Sequence, residues 1–294
     1  MHFENYHPGI LLLYFSTVIL CTICFQHPVF LILSFVTSFL CSAWLGTRKS
    51  IVIHLCFLPI AILFACYYAV GNHFGVTNLR QNMAGNYMTL ESFAYGLSIG
   101  IRGASFLMWL SCVHNIMTTD KIVYLFGRIS PKLSLYIALF SRLVPRMQEK
   151  ALQTRESQEC IGLGISNGIL LDRIKHTFRI GLVVFHFTLE HMKDSSDSMK
   201  SRGYSLKGRT AFSIFRFDNR DRTLVIGICF LATLIFTGAA LEQNTIVYNP
   251  AIMIHKVTPC SILFYTAYLV MGILPMILDT IRDIKKNYKT KYYV

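Results

Sequence analysis

Long apolar runs separated by short polar breaks dominate both ends of the chain. Runs of the roughly 18 to 20 residues needed to cross a bilayer occupy 8–25, 28–45, 51–70, 223–241 and 259–278. A sixth, interrupted by polar residues, covers 90–114. The first runs are joined only by "FQHP" and "GTRKS", so they read as tight helical hairpins, with Pro59 and Pro275 inside spans. Residues 72–88 are polar and rich in Gly and Asn, and read as a loop.

Between 115 and 222 the pattern changes. This stretch is charged, yet it holds no Gly/Pro/Ser linker and no low-complexity tract, which predicts folded structure. Ile174, Phe178, Leu182, Phe185, Leu189, Met192, Ser196 and Met199 recur at steps of three and four, a single stripe on one long helix. Asp172 marks its start and Gly203 its end, since glycine readily takes the left-handed conformation that closes helices. Such a helix runs about 45 Å at 1.5 Å per residue. Ile180, Val183, Val184 and Phe187 lie off the stripe, which implies that more than one face is covered. A shorter helix is expected over 143–161, ending in glycine at "CIGLG". The organisation is then three regions: membrane helices over 1–114, a folded non-membrane region over 115–222, and membrane helices with a basic tail over 223–294. The fold class is all-α, a polytopic membrane protein with about six spans and two long helices outside the bilayer.

Composition agrees with a membrane protein: 294 residues, 53% hydrophobic, 15% charged, mean hydropathy +0.48. The net charge of +13 brings nucleic acid to mind, but its placement argues otherwise. Eighteen of the 28 Lys and Arg lie between Lys121 and Arg222, two at Arg48 and Lys49, and five after Asp279. With six spans and both termini cytoplasmic, all of these fall inside, only Arg80 and Lys256 fall outside, and Arg102 sits within a span. The basic face reads as topology signal and anionic-lipid contact, with no nucleic-acid partner. The N-terminus "MHFENYHPG" lacks a basic signal region, so the first span is expected to stay in the mature protein.

Candidate chemistry is sparse. Cys21 and Cys24 form a C-x-x-C on an apolar helix without a second pair, which favours packing over metal or redox work. His186, Glu190 and His191 lie close in sequence, but 190 and 191 diverge around a helix, so no metal site is expected. No P-loop, G-x-S-x-G or H-E-x-x-H occurs, so no motif here hydrolyses ATP, and no cofactor or catalytic residue is expected. Arg102, midway along a span, is costly and marks either a structural partner between helices, a ligand contact or a snorkelling side chain. Gly96, Gly100 and Ala104 form a small-x-x-x-small row for a neighbouring helix or a partner. Glu91 is expected at the outer interface of that helix. Around the end of the long helix, Lys200, Arg202, Lys207, Arg209 and Arg216 come with no acid. Arg202 beside Gly203 supplies a fixed cationic fork and a residue without Cβ, suited to entering another protein's groove, against the plainer reading of a solvated arginine favoured by the helix dipole.

Four ordered pieces then carry a resemblance: "GLSIGIRGASFLMWL" followed by Thr118 and Thr119, "LFGRISPKLSLYIALFSRLVPRMQEK", "SQECIGLG" and "SMKSRGYSLKGRTAF". Over about 130 residues they resemble the transmembrane (T) component of energy-coupling factor (ECF) transporters, importers of vitamins and metal ions related to ABC systems. In that family two coupling helices end in Ala-Arg-Gly-like triplets that dock into two cytoplasmic ABC ATPase subunits. The resemblance implies ATPase coupling at Ser201, Arg202 and Gly203, with Ser in place of Ala, and at Cys160, Ile161 and Gly162, where isoleucine replaces the arginine. It also implies a membrane substrate-binding (S) component, met by the stripe residues Phe178, Leu182, Phe185, Leu189 and Met192 or else these packing on the other coupling helix. Arg102 takes a structural place in the membrane, since the family helix carries an arginine too. The implied protein is a non-enzymatic scaffold in a bacterial or archaeal cell membrane, multi-pass, with cargo chosen by the S component. The opposing class, a membrane-embedded transferase without ATPases, needs acids or histidines converging at one depth. The spans offer only Glu91, His54 and Arg102, at different depths.

Overall fold

The computed structural model describes residues 3–46, 48–81, 87–164, 170–204, 206, 215, 217–241, 245–254 and 258–292. Lys256 and the "GRT" at 208–210 lie outside the described residues, as do the side chains of Arg48, Lys49 and Arg80. The chain divides into two compact units, one of residues 1–118 with 215–294 and one of residues 119–214.

The first unit is a helical bundle. It contains α1 (Pro8–Cys24), α2 (Pro28–Leu45), α3 (Arg48–Gly71), α4 (Leu90–Ile116), α8 (Asn219–Ala240) and α9 (Pro259–Tyr292). Five of these are long and apolar enough to span a membrane, and α1 is apolar but shorter at 17 residues. At 1.5 Å per residue α1 covers about 25 Å, a little under a typical hydrocarbon core. The protein is therefore a polytopic, essentially all-α membrane protein. Two small antiparallel ladders decorate it, β1 (Asn78–Gln81) with β2 (Tyr87–Thr89), and β3 (Ile246–Val247) with β4 (Met253–Ile254). The segment 72–88 is thus partly a hairpin and not simply a loop, because Tyr87–Thr89 pairs back before α4 begins.

Local sequence explains where the helices start. His7 and His27 each precede a proline at the first helical turn, and each imidazole Nδ1 accepts a backbone N–H, from Gly9 at 3.1 Å and from Val29 at 3.3 Å. Proline suits this position because the N–H it lacks has no helical partner there. Asp218 and Asp221 form a reciprocal capping box at the start of α8. The core is aromatic: Tyr14, Phe15 and Trp109 meet edge-on at 5.1 to 6.5 Å, with Phe3, Met271, Ile228 and Ile235 also buried. Pro275 cannot donate to the carbonyl of Met271, and the Tyr14 hydroxyl donates to that oxygen instead, at 3.1 Å. In a bilayer, where water cannot repair a freed carbonyl, such a donor makes an internal proline tolerable.

Contacts within this unit order its two ends. The Phe3 backbone N–H donates to Asp279 at 2.7 Å and His7 lies edge-on to Phe217 at 5.5 Å, so the chain start, the entry to α8 and the far part of α9 share one end. Tyr95 meets Tyr248 of the β3–β4 segment at 5.2 Å, near the start of α4. Helix α9 also runs on to Tyr292, well past the expected end at 278, because its basic tail contains no breaker.

The small-residue row has a partner within the chain. A Cβ on Gly96 would stand 3.1 Å from the Ala65 Cα, and one on Gly100 would stand 2.8 Å from the Ala61 carbonyl oxygen. Helices α3 and α4 therefore meet backbone to backbone along Ala61, Ala65 and Ala69, which decides between the two readings of that row in favour of a neighbouring helix. Glu91 is buried and accepts the Thr77 N–H with both carboxylate oxygens, at 3.2 and 3.3 Å, tying the loop to the start of α4.

The second unit holds α5 (Thr119–Ile129), α6 (Pro131–Cys160) and α7 (Leu170–Ser201). Two expectations need correction here. Helix α5 was not anticipated, and α6 starts at Pro131 instead of 143, continuing through Pro145 for 30 residues. The apolar run from 133 to 140 hid a helical period. The "GRISP" segment is the corner between α5 and α6. Ser130 is extended, as a residue before proline prefers, and its N–H still reaches the Phe126 carbonyl at 2.8 Å. Gly127 leaves room for Ser134, whose hydroxyl donates to the Val123 carbonyl at 2.9 Å.

Candidate functional site: two matched helix tips

Helices α6 and α7 pack antiparallel. Arg146 meets His191, and the Lys150 ammonium sits 4.9 Å from the Phe187 ring centroid, so contacts that advance along α6 retreat along α7. The buried row on α7 is Ile180, Val184 and Thr188, with Thr154 buried on α6. These are partly the residues that the pattern placed off the stripe. The stripe itself, Phe178, Leu182, Phe185, Leu189 and Met192, is between 47% and 68% exposed. Of the two alternatives for the stripe, packing on the other helix is met toward the end of α7, where Met192, Ser196 and Met199 border a cavity lined by α6, while the residues buried nearer its start are Ile180, Val184 and Thr188. The exposed face continues through Leu170, Leu171 and Ile174.

Both helices end in the same motif. After α6, the Gly162 N–H donates to the Glu159 carbonyl at 3.0 Å and the Leu163 N–H to the Gln158 carbonyl at 2.9 Å. After α7, the Gly203 N–H donates to the Lys200 carbonyl at 3.0 Å and the Tyr204 N–H to the Met199 carbonyl at 3.1 Å. These are paired Schellman closures, with Gly162 at φ +83° and Gly203 at φ +77°. The glycines are needed because an L side chain in that region costs roughly 1–2 kcal/mol. Ile161 and Arg202 consequently occupy the same half-helical position, each projecting at a tip. Ile161 is 70% exposed, and Cys160, Ser201 and Arg202 are exposed too.

The tips stand at opposite ends of the antiparallel pair. From the Arg146–His191 contact, Ile161 lies fifteen residues on along α6 and Arg202 eleven residues on along α7 in the other direction. At 1.5 Å per residue the two are up to about 40 Å apart. Arg202 also borders a cleft of about 490 Å³ lined by Gly127, Ser134, Arg142, Ser195 and Ser198. Arg142 and Arg146 stand in the second piece of the resemblance, but a cleft beside them was not expected, because nothing there showed that α6 reaches back to Pro131. His191 meets Arg146, and among the described residues no group of three His, Cys, Asp or Glu is placed to hold a metal ion.

Arg102 lies in the other unit. Its Nε and Nη2 are buried and lack a hydrogen-bond partner among the described residues. The guanidinium and Ser98 both act on the phenol of Tyr248, opposing the burial that raises its pKa.

The class defined by these features is a multi-pass helical membrane protein whose second unit carries a crossed pair of long helices, each ending in a glycine-closed tip. Known proteins are similar to this chain over part of its sequence. The chain is 27% identical over 106 residues to the energy-coupling factor transporter transmembrane protein EcfT of Listeria innocua, covering 36% of this chain and 40% of that protein. It is 27% identical over 105 residues to EcfT of Lactococcus lactis subsp. cremoris, and 22% identical over 106 residues to EcfT of Bacillus subtilis, again over 40% of each. The match spans about two fifths of the length of these curated relatives. No family model matches the chain. The resemblance to the T component of ECF transporters is thus shared with three proteins of that name.

Proposed function

We propose that this protein is the coupling scaffold of an ECF-type importer. Two ABC ATPases grip the tips at Cys160–Ile161–Gly162 and Ser201–Arg202–Gly203, and a membrane S component rests on the exposed face of α7. The observation that carries the reading is the pair of matched tips at opposite ends of one rigid helix pair. Two ATPases that close on each other pull such ends in a defined direction, and stiff helices pass the displacement on. The stripe supports an S-component contact, because each fully covered Leu or Phe there is worth about 1.5–3 kcal/mol. Both termini and the second unit face the cytoplasm, in line with the basic residues. Arg102 holds the outer β3–β4 segment over α4 through Tyr248.

A transferase finds less support. His54, near the start of α3, meets Ser42, and Glu91, at the start of α4, meets Thr77, so the two do not converge on one acid–base site. The test is uptake and ATP hydrolysis in vesicles reconstituted with ATPases and an S component. Arg202→Glu is expected to abolish uptake while the protein still inserts. Undiminished uptake in that variant would exclude Arg202 as a coupling residue.

A further inference from the structure

Arg142, Arg146 and Arg202 line two adjoining cavities between α6 and α7, of about 490 and 330 Å³. Neither lining contains a carboxylate, and among the described residues none of the three guanidinium groups forms an ion pair. Two other cations on these helices are paired, Arg155 with Glu159 at 3.1 Å and Lys200 with Asp197 at 3.2 Å. Arg142 borders both cavities, Arg202 the larger and Arg146, which also meets His191, the smaller; guanidinium groups with no carboxylate in the lining leave a site for an anion, and arginine forks match phosphate oxygens. Ser195 and Ser198 add hydroxyls to the same lining.

The walls are mixed in character. Tyr136, Leu139, Phe140, Leu143 and Met192 border the smaller cavity, with Tyr136 and Phe140 about 60% exposed. Helix α5, which supplies Val123 and Gly127 to the larger cavity, follows the membrane-spanning α4 after only Met117 and Thr118. A cationic cleft with an apolar flank has the chemistry of an anionic headgroup site.

The geometry points to one bound anionic phospholipid, its phosphate held by Arg142 and Arg146 and its acyl part along Tyr136, Phe140 and Leu143. The site does not depend on the ATPase reading, and a lipid held there would brace the Arg202 tip from behind.

Native mass spectrometry of the full chain from mild detergent tests this, with phosphatidylglycerol, phosphatidylcholine or inorganic phosphate added. One tightly retained phosphatidylglycerol per chain is expected, with phosphatidylcholine at least tenfold weaker. Arg142→Ala with Arg146→Ala is expected to weaken retention tenfold or more, while Lys175→Ala with Lys193→Ala, which removes equal charge from exposed α7 positions, leaves it unchanged. Ser195→Phe fills the cleft without altering charge and is expected to lose the lipid too, which covers the case of a poorly folding arginine variant. Equal loss in the lysine control, equal retention of phosphatidylcholine, or displacement of the lipid by an equimolar amount of inorganic phosphate would each overturn the site.

Discussion

The two helix tips share a backbone and differ in chemistry. Ile161 and Arg202 sit at the same position of the same closure, each beside a left-handed glycine, yet one offers an apolar branch and the other a charged fork. The comparison separates two things a docking tip must supply: a shape that lets a partner approach, present at both ends, and a directional charged grip, present at one. On this view the α7 tip dominates ATPase affinity and the α6 tip contributes mainly burial.

Charge reversal breaks the comparison most severely. Arg202→Glu places a like charge or an empty space where the partner expects a cation, and reconstituted uptake is expected to fall at least a hundredfold. Arg202→Lys keeps the charge and loses the fork. With charge-assisted hydrogen bonds worth about 1.5–3 kcal/mol, and some of that kept, a fall of roughly tenfold in ATPase affinity is expected by titration. Ile161→Arg sharpens the comparison from the other side. If the first ATPase retains an acidic groove, its affinity rises severalfold, whereas a fall shows a groove adapted to isoleucine.

Smaller effects come from the glycines. Gly162→Ala and Gly203→Ala each force a Cβ into the left-handed region, at a cost of about 1 kcal/mol. The Gly203 variant also brings its Cβ within 3.2 Å of Leu206, whereas nothing lies within 4 Å at Gly162. Thermal melts should therefore rank Gly203→Ala as the less stable, by a degree or two beyond the shared drop.

These predictions rest on features that were unequally legible in the sequence. Gly203 closes α7 as its position after a periodic stripe indicated, since a lone glycine behind an unbroken helix has few other uses. The membrane helices were readable because bilayer thickness imposes their length. The row of Gly96 and Gly100 announced close approach, but its partner on α3 needed the fold, because alanines at 61, 65 and 69 are unremarkable among larger apolar residues. The start of α6 was concealed: in an apolar run such as Leu133 to Phe140, spacing does not distinguish faces. The face of α7 that packs on α6 was left open between two alternatives for a related reason. Large side chains draw attention, but Ile180, Val184 and Thr188 are the buried residues, and Phe178 and Phe185 stay exposed. Arg142 and Arg146 became interesting only once the antiparallel pairing placed them across from Ser195 and His191.

The central claim is that both tips are held by ATPases at once. Native mass spectrometry of the tagged protein, purified from its own cells in mild detergent, measures this directly. The account predicts one copy of this chain with two ATPase chains, reduced to one or none by Arg202→Glu. Recovery of the chain alone, or of a complex that Arg202→Glu leaves whole, would contradict it.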